Sequence, residues 1–443
     1  MKLPITLQND QGKIGRGFLT VEIMIAFSIF TLFIVSTFSL SLSIQNMKIW
    51  SIKELIKLKD SVQIMDDFIN NSTLSSNLNI TMYGNDSFKI VIEPFSIIYS
   101  DFINSWGRDT CFPRINFNQK KIQYFDEGID LGIGNISTDL EVRNNIVYLT
   151  TDSATASKSD FYIINAENPS NPIIISSLNT GPGLKAIEVA GPYVYVANSG
   201  TTAQLQIIDI HNRNLPLLIS KFKLQLPQAS TSPTIGNSIF YNKGFIYLGT
   251  MKWDGPEFNI IDVSNPLSPI LVGSFETNTL INDIYIRENR AYLATSDIGQ
   301  MRILDISNKN NPILLFTFSP SGWQTQEGRT IDLFENRLNL GRTVGGFNVK
   351  ANHEIFTFAT SSVFTSYFSQ DIPGGVYGIL SRFPNIFLLT HSSNHEFQVW
   401  DSDLKNKIYD FPLGNMPMKM VCDQSSFFFA TGNEKGISII KLN

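Results

Sequence analysis

Hydrophobic and polar positions divide this chain into two regimes. From Ile23 to Met47 there is no charged residue, and these 25 positions would span about 37 Å as a helix, enough to cross a hydrocarbon core of about 30 Å. Beyond Lys48 the apolar residues Ile49, Ile52, Leu55, Ile56, Leu58, Val62, Met65 and Ile69 keep a helical rhythm among charges. That rhythm predicts an amphipathic continuation of the same helix, ending at Asn70-Asn71-Ser72. The pattern then changes period. Ile90–Ile98 reads as containing strand, Trp106-Gly107-Arg108 reads as a turn, and from about Ile136 short apolar runs alternate with turn residues to the end of the chain.

Those short runs repeat at about 40–53 residues, a period typical of blades or solenoid units. Asn165, Asn168 and Pro172 are matched at the same offsets by Asp209, Asn212 and Pro216, by Asp262, Asn265 and Pro269, and by Asp305, Asn308 and Pro312. Asp and Asn side chains bond to backbone just ahead and hold a tight turn, and proline suits the start of an edge strand. Upstream in each unit an aromatic marks a strand, at Tyr148, Tyr195, Tyr247 and Tyr292, and weaker units place Asn339, Phe387 and Phe428 there. The third strands of the weaker units are expected at Gly346–Ala351, Glu396–Asp401 and Gly436–Lys441. Seven units of four strands predict a mainly β fold, a seven-bladed propeller over residues 133–443. The last unit stops after its third strand, so Ile122–Phe125 or Arg114–Phe117 is expected to supply the fourth and close the ring. Leu205-Gln206-Ile207-Ile208-Asp209 and the Asn and Pro positions behind it resemble the LVIVD-repeat propellers.

The net charge of −5 changes the picture in one respect. Residues 1–17 carry Lys2, Lys13 and Arg16 against Asp10, so the remainder is more acidic still. An acidic body argues against nucleic acid as a partner. The only two cysteines, Cys111 and Cys422, are too few for a disulfide scaffold. Sequence alone leaves two readings open, a bridge between them or two isolated buried thiols.

Ahead of the apolar run stands Gly17-Phe18-Leu19-Thr20-Val21-Glu22. A carboxylate at the mouth of a membrane-length segment is costly and calls for a cationic partner. This stretch resembles the N-terminus of type IV prepilins and pseudopilins. The resemblance implies cleavage between Gly17 and Phe18 by a prepilin peptidase, N-methylation of Phe18, and pairing of Glu22 with the free amino group of a neighbouring subunit. It divides the chain into a leader (1–17), a pilin-like helix (18–71, membrane-spanning over about 22–44), a reduced pilin-like or neck region (72–132) and the propeller. The absence of proline between Pro4 and Pro94, and of an obvious compact pilin head, points to a minor rather than a major subunit. The expected protein is a minor pilin-like or pseudopilin subunit, single-pass in the cytoplasmic membrane, in a pilus or at the cell surface. It would present its propeller outside for adhesion, binding or filament assembly. Its partners would be the peptidase, other pilin subunits and a protein or glycan ligand. The alternatives are a membrane-anchored propeller receptor outside any filament, or a propeller enzyme.

No enzyme motif, cofactor or metal site is expected. His391 and His395 have a spacing that binds metal on a helix, but here it falls in a loop between strands. The recurring Asp209, Asp262 and Asp305, with Asn165 in the same place, read as structural turn residues rather than calcium ligands. Gly181-Pro182-Gly183 and Gly345-Gly346 lack the following helix of a phosphate loop, and there is no G-x-S-x-G elbow. Trp253, Trp323 and Trp400 read as core packing.

Overall fold

The computed structural model describes residues 122–443 apart from short stretches at 154–156, 226–234, 320–325, 335–336, 345–351, 361–362, 383, 415–416, 425 and 443, together with strand backbone at 78–83, 87–92, 95–99 and 110–111. Gly17, Phe18, Glu22 and the predicted helix therefore lie outside the described residues, as do Arg114–Phe117 and Trp323. No helix among the described residues is long and apolar enough to cross a membrane.

The chain divides into two compact units, Met1–Tyr83 with Ser87–Phe102, and Gly84–Asp86 with Ile103–Asn443. In the first, Leu78–Tyr83, Ser87–Ile92 and Phe95–Tyr99 form an antiparallel three-stranded sheet, so the expected stretch at Ile90–Ile98 does contain strand, at 90–92 and 95–98.

The second unit is a seven-bladed β-propeller. Blade two shows the plan: Leu184–Ala190, Tyr193–Asn198, Leu205–Asp209 and Leu217–Phe222 pair in sequence order, each antiparallel to the next. Blade one (Asn135–Leu178), blade three (Gly236–Phe275), blade four (Ile281–Phe318), blade five (Gly328–Gln370) and blade six (Val376–Phe411) repeat it. The first strands of successive blades contact one another in a closed circle, that of blade seven touching that of blade one, so they form the innermost ring. The second and third strands are buried on both faces, while the fourth strands leave Ile173, Leu217, Ile270 and Ile313 exposed in blades one to four. The core lies between blades, where apolar side chains of neighbouring sheets meet.

Local chemistry explains why each sheet folds where it does. In blade three the first hairpin turns through Lys243 and Gly244 at φ 48° and 82°, a left-handed pair that matches the strand twist and suits glycine. At the third turn, Asn165, Asp209, Asp262 and Asp305 each accept from the backbone N–H two residues on, at 2.8–2.9 Å. Asn168, Asn212, Asn265 and Asn308 do the same at 3.1–3.3 Å.

A second recurrent clasp lies at the opposite end. The residue just before the third strand accepts from backbone that follows the fourth. Asp160 accepts from Thr180 N at 2.8 Å, Gln204 from Leu224 N at 2.9 Å, Glu257 from Thr277 N at 2.9 Å, Asn352 from Ile372 N at 2.7 Å and Glu396 from Leu413 N at 3.0 Å. These buried acceptors pin the connection to the next blade.

The ring closes as expected at Ile122–Phe125, which runs antiparallel to Ile437–Leu442 with Ile439 opposite Phe125 and Leu442 opposite Ile122. Tyr124 donates from its hydroxyl to Leu413 O at 3.0 Å and meets the Phe411 ring edge-on at 4.8 Å. Blade seven gains a further strand, Thr110–Cys111, parallel to Asp423–Gln424. Cys422 is disulfide-bonded, and the chain's one other cysteine is Cys111. The propeller thus takes in strands from upstream of residue 133.

One expected strand is misplaced. The third strand of blade five is His353–Thr360, not Gly346–Ala351, which lies outside the described residues. The other two expected third strands stand at Phe397–Asp401 and Ile437–Leu442.

Candidate functional site

Six of the seven innermost strands carry a register break near their start, between Ser137/Asp139, Leu184/Ala186, Gly236/Ser238, Ile281/Asp283, Gly328/Thr330 and Val376/Gly378. The residue passed over in each is Thr138, Lys185, Asn237, Asn282, Arg329 and Tyr377. A β-bulge takes one residue out of the ladder and re-aims its side chain, which is why bulges gather beside active sites. All six are half-buried, as side chains at the axial end of a ring would be.

Several of these side chains bond to the neighbouring blade. Thr138 Oγ1 donates to Leu184 O at 2.9 Å, Asn237 Nδ2 to Ile281 O at 2.9 Å and Asn282 Nδ2 to Gly328 O at 2.6 Å. One residue further on, buried Asp139 and Asp283 accept from Ile187 N at 3.1 Å and Ile331 N at 3.0 Å. Lys185 pairs with Asp152 at 2.7 Å.

Arg329 and Tyr377 form the distinctive part. Arg329 Nη1 donates to Asn282 Oδ1 at 3.1 Å and lies 3.9 Å from Glu327 Oε2. Asn282 Nδ2 also donates to Ser296 Oγ at 2.7 Å, which in turn donates to Glu327 at 3.1 Å. The Arg329 guanidinium sits 5.4 Å over the Tyr377 ring, a cation–π arrangement. Tyr377 stacks on His391 with ring centroids 3.5 Å apart and planes 12° from parallel. Burial holds the His391 imidazole below its usual pKa, more than its bond to the Pro417 carbonyl raises it, and the Arg329 charge lowers it further. His391 is therefore neutral at physiological pH and adds no second positive charge. Blades four, five and six and the approach to blade seven all contribute.

The residues singled out in the sequence sit elsewhere. Asn165, Asp209, Asp262 and Asp305 lie at the other end of the sheets, beside the first hairpins, where Ala166 N bonds Asn145 O and Val263 N bonds Gly244 O. His395 shares a loop with His391 but turns to Asp410 at 2.8 Å. His211 pairs with its own turn residue Asp209 at 2.7 Å. Among the described residues no group of three His, Cys, Asp or Glu is placed to hold a metal ion. Trp253 and Trp400 are buried.

Blade five holds a second departure from the repeat. Buried His353 Nε2 meets Asn339 Oδ1 at 3.1 Å, where blades three and six stack Tyr247 on Phe258 and Phe387 on Phe397. Next to it buried Arg342 pairs with Glu354 at 2.7 Å and donates to Gln300 and Gln326 at 3.1 and 3.2 Å.

With this geometry in hand, the comparisons locate the fold. The LVIVD repeat model matches residues 185–223, 252–277 and 281–319, so the chain carries LVIVD repeats in blades two to four. No curated protein matches the sequence. Among solved structures, virginiamycin B lyase from Staphylococcus aureus is 14% identical, with 73% of this chain and 99% of that chain covered and a TM-score of 0.53. The periplasmic gluconolactonase of Pseudomonas aeruginosa is 10% identical, with 67% and 88% covered and a TM-score of 0.52. A chain of the mitotic checkpoint complex is 13% identical, with 73% and 92% covered and a TM-score of 0.51. At such identities the likeness is one of fold, and the fold hosts unrelated activities.

Proposed function

We propose that this protein is a minor type IV pilin-like or pseudopilin subunit that presents its propeller outside the cytoplasmic membrane as a binding module. The observation that carries this reading is Gly17-Phe18-Leu19-Thr20-Val21-Glu22 ahead of 25 uncharged positions. The disulfide at Cys422 supports an oxidising compartment for the propeller. Closure of the ring by Ile122–Phe125 supports a mount through blade seven, because a chain arriving from the membrane would enter the ring as part of its sheet. The exposed apolar edges of blades one to four support contact with a partner protein.

In this reading a prepilin peptidase cuts after Gly17 and Phe18 is methylated. Glu22 pairs with the amino terminus of a neighbouring subunit, and the propeller is carried for adhesion, binding or priming of assembly rather than catalysis. Mass spectrometry of the mature chain tests the start: a first residue of methylated Phe18 is expected, and a chain beginning at Met1 refutes processing. Glu22→Ala should abolish filament incorporation and leave membrane insertion intact. Surface assembly that survives this change would leave a membrane-anchored receptor as the correct reading.

A further inference from the structure

The bulge residues differ in what they have left to offer. Thr138, Asn237 and Asn282 are bonded to the next blade, and Lys185 to Asp152. Arg329 spends only Nη1, on Asn282. Among the described residues its Nη2 and Nε have no hydrogen-bond partner, and neither has the Tyr377 hydroxyl. Glu327 stands 3.9 Å away, beyond hydrogen-bond reach, and is itself held by Ser296 at 3.1 Å. The Arg329 side chain is 33% exposed, so water or a solute reaches it.

Its orientation is nonetheless fixed. Asn282 holds one nitrogen, the guanidinium carbon sits 5.4 Å from the Tyr377 ring centroid, and His391 stacks on that ring from the loop between the second and third strands of blade six. A guanidinium oriented by its neighbours, with one edge unspent, is the donor fork that matches a planar carboxylate or a phosphate. The hydroxyl of the Tyr377 ring, which the guanidinium faces at 5.4 Å, is a further donor.

We infer that Arg329 and Tyr377 form an oxyanion-binding site at the axial end of the propeller, which takes the carboxylate or phosphate group of a small acidic solute. Asn282 and His391 position the two donors, and Glu327 sets the strength of the site by opposing the incoming charge. This inference rests on reading the propeller as a binding module and is independent of how the chain is mounted.

The full chain, titrated calorimetrically at constant ionic strength with glucuronate, citrate, glucose 6-phosphate and inorganic phosphate, tests it. At least one of these probes should bind. The carboxylate and phosphate arms distinguish the source of the oxyanion. Arg329→Gln should weaken binding by about tenfold or more, and Tyr377→Phe should weaken it less. Glu327→Gln should tighten it, because a like charge leaves. Lys309→Gln, in a turn at the other end of the sheets, should change nothing. Binding of none of the four probes overturns the inference, and so does binding that Arg329→Gln leaves intact. If Arg329→Gln does not fold, the Glu327→Gln result decides, and unchanged or weaker binding there also overturns it. Glu22→Ala should bind as the wild type does, so a failure of mounting and a failure of this site are distinguishable.

Discussion

Replacing Asp160 with asparagine should stabilise the propeller at neutral pH and leave it nearly unchanged near pH 4. Asp160 is fully buried and accepts from Thr180 N at 2.8 Å and Thr180 Oγ1 at 3.2 Å. Burial raises its pKa from 3.8 to about 6, against the lowering effect of the Thr180 bonds. Between those two values the folded state keeps a proton that the unfolded chain has released. Stability therefore falls as pH rises through that window, by about 1.4 kcal/mol per unit. The contribution is fully present below pH 3.8 and lost above about 6, a difference on the order of 3 kcal/mol. Asparagine keeps an acceptor for Thr180 N and offers an amide that the threonine hydroxyl can accept, with no charge to desolvate. Thermal unfolding of the full chain across this pH range, followed through the buried Trp253 and Trp400, should show the variant level with the wild type at low pH and above it at neutral pH. A constant offset, or a variant that loses ground as pH rises, would mean that the hydrogen bonds outweigh desolvation and would refute the reasoning.

Three further perturbations probe the ring. Tyr124→Ala removes the hydroxyl bond to Leu413 and the contact with Phe411; it should cost about 2 kcal/mol and lower hydrogen-exchange protection across Ile437–Leu442, and unchanged protection would show that the closing strand is dispensable. Cys422→Ser should destabilise by about 2–4 kcal/mol, peptide mapping of the oxidised wild type should find Cys111 at the other end of the bond, and a free Cys422 in the wild-type chain purified without reductant would contradict it. His353, driven down to about 3 by burial and then by the Arg342 charge, contributes stability that is present above pH 6.5 and lost as pH falls toward 3. Asn339→Tyr with His353→Phe restores the blade-three pairing and should flatten that acid-side loss, which a pH series of unfolding midpoints would measure.

The Asx turns were legible because they are local: a side chain two residues from the N–H it bonds leaves its spacing in the sequence. The closing strand was legible for a different reason, since a repeat that stops one strand short implies that the missing strand comes from upstream. The third strand of blade five was misplaced because its first core position is polar. Phe161, Leu205, Phe258, Met301 and Phe397 stand there in other blades, and His353 breaks the apolar run that marks the strand. The bulges were missed because a register break belongs to the pairing of two strands, and neither strand states it alone. The repeat nonetheless held a signal. Thr138, Lys185, Asn237, Asn282, Arg329 and Tyr377 each stand two residues ahead of a core aliphatic, at Leu140, Ile187, Ile239, Ile284, Ile331 and Ile379.

A chain built from repeats carries its own comparison, because each blade shows what the fold requires of the others. Positions that stay the same from blade to blade, such as the turn acceptors, are accounted for by the sheet they hold. Positions that change without loss of the sheet are free to serve something else. The largest changes fall together. Arg329 and Tyr377 stand at the bulge where blades one to four carry Thr138, Lys185, Asn237 and Asn282, and Asn339 and His353 stand where blades three and six stack an aromatic pair. All four lie in blades five and six, beyond residue 319, where the match to the LVIVD repeat ends. The buried polar pair costs stability relative to the aromatic pairs of blades three and six. The ring tolerates that cost in the blade that also carries Arg329 at its bulge. This coincidence, rather than the fold, makes the axial end of blades five and six the place where a ligand should be sought.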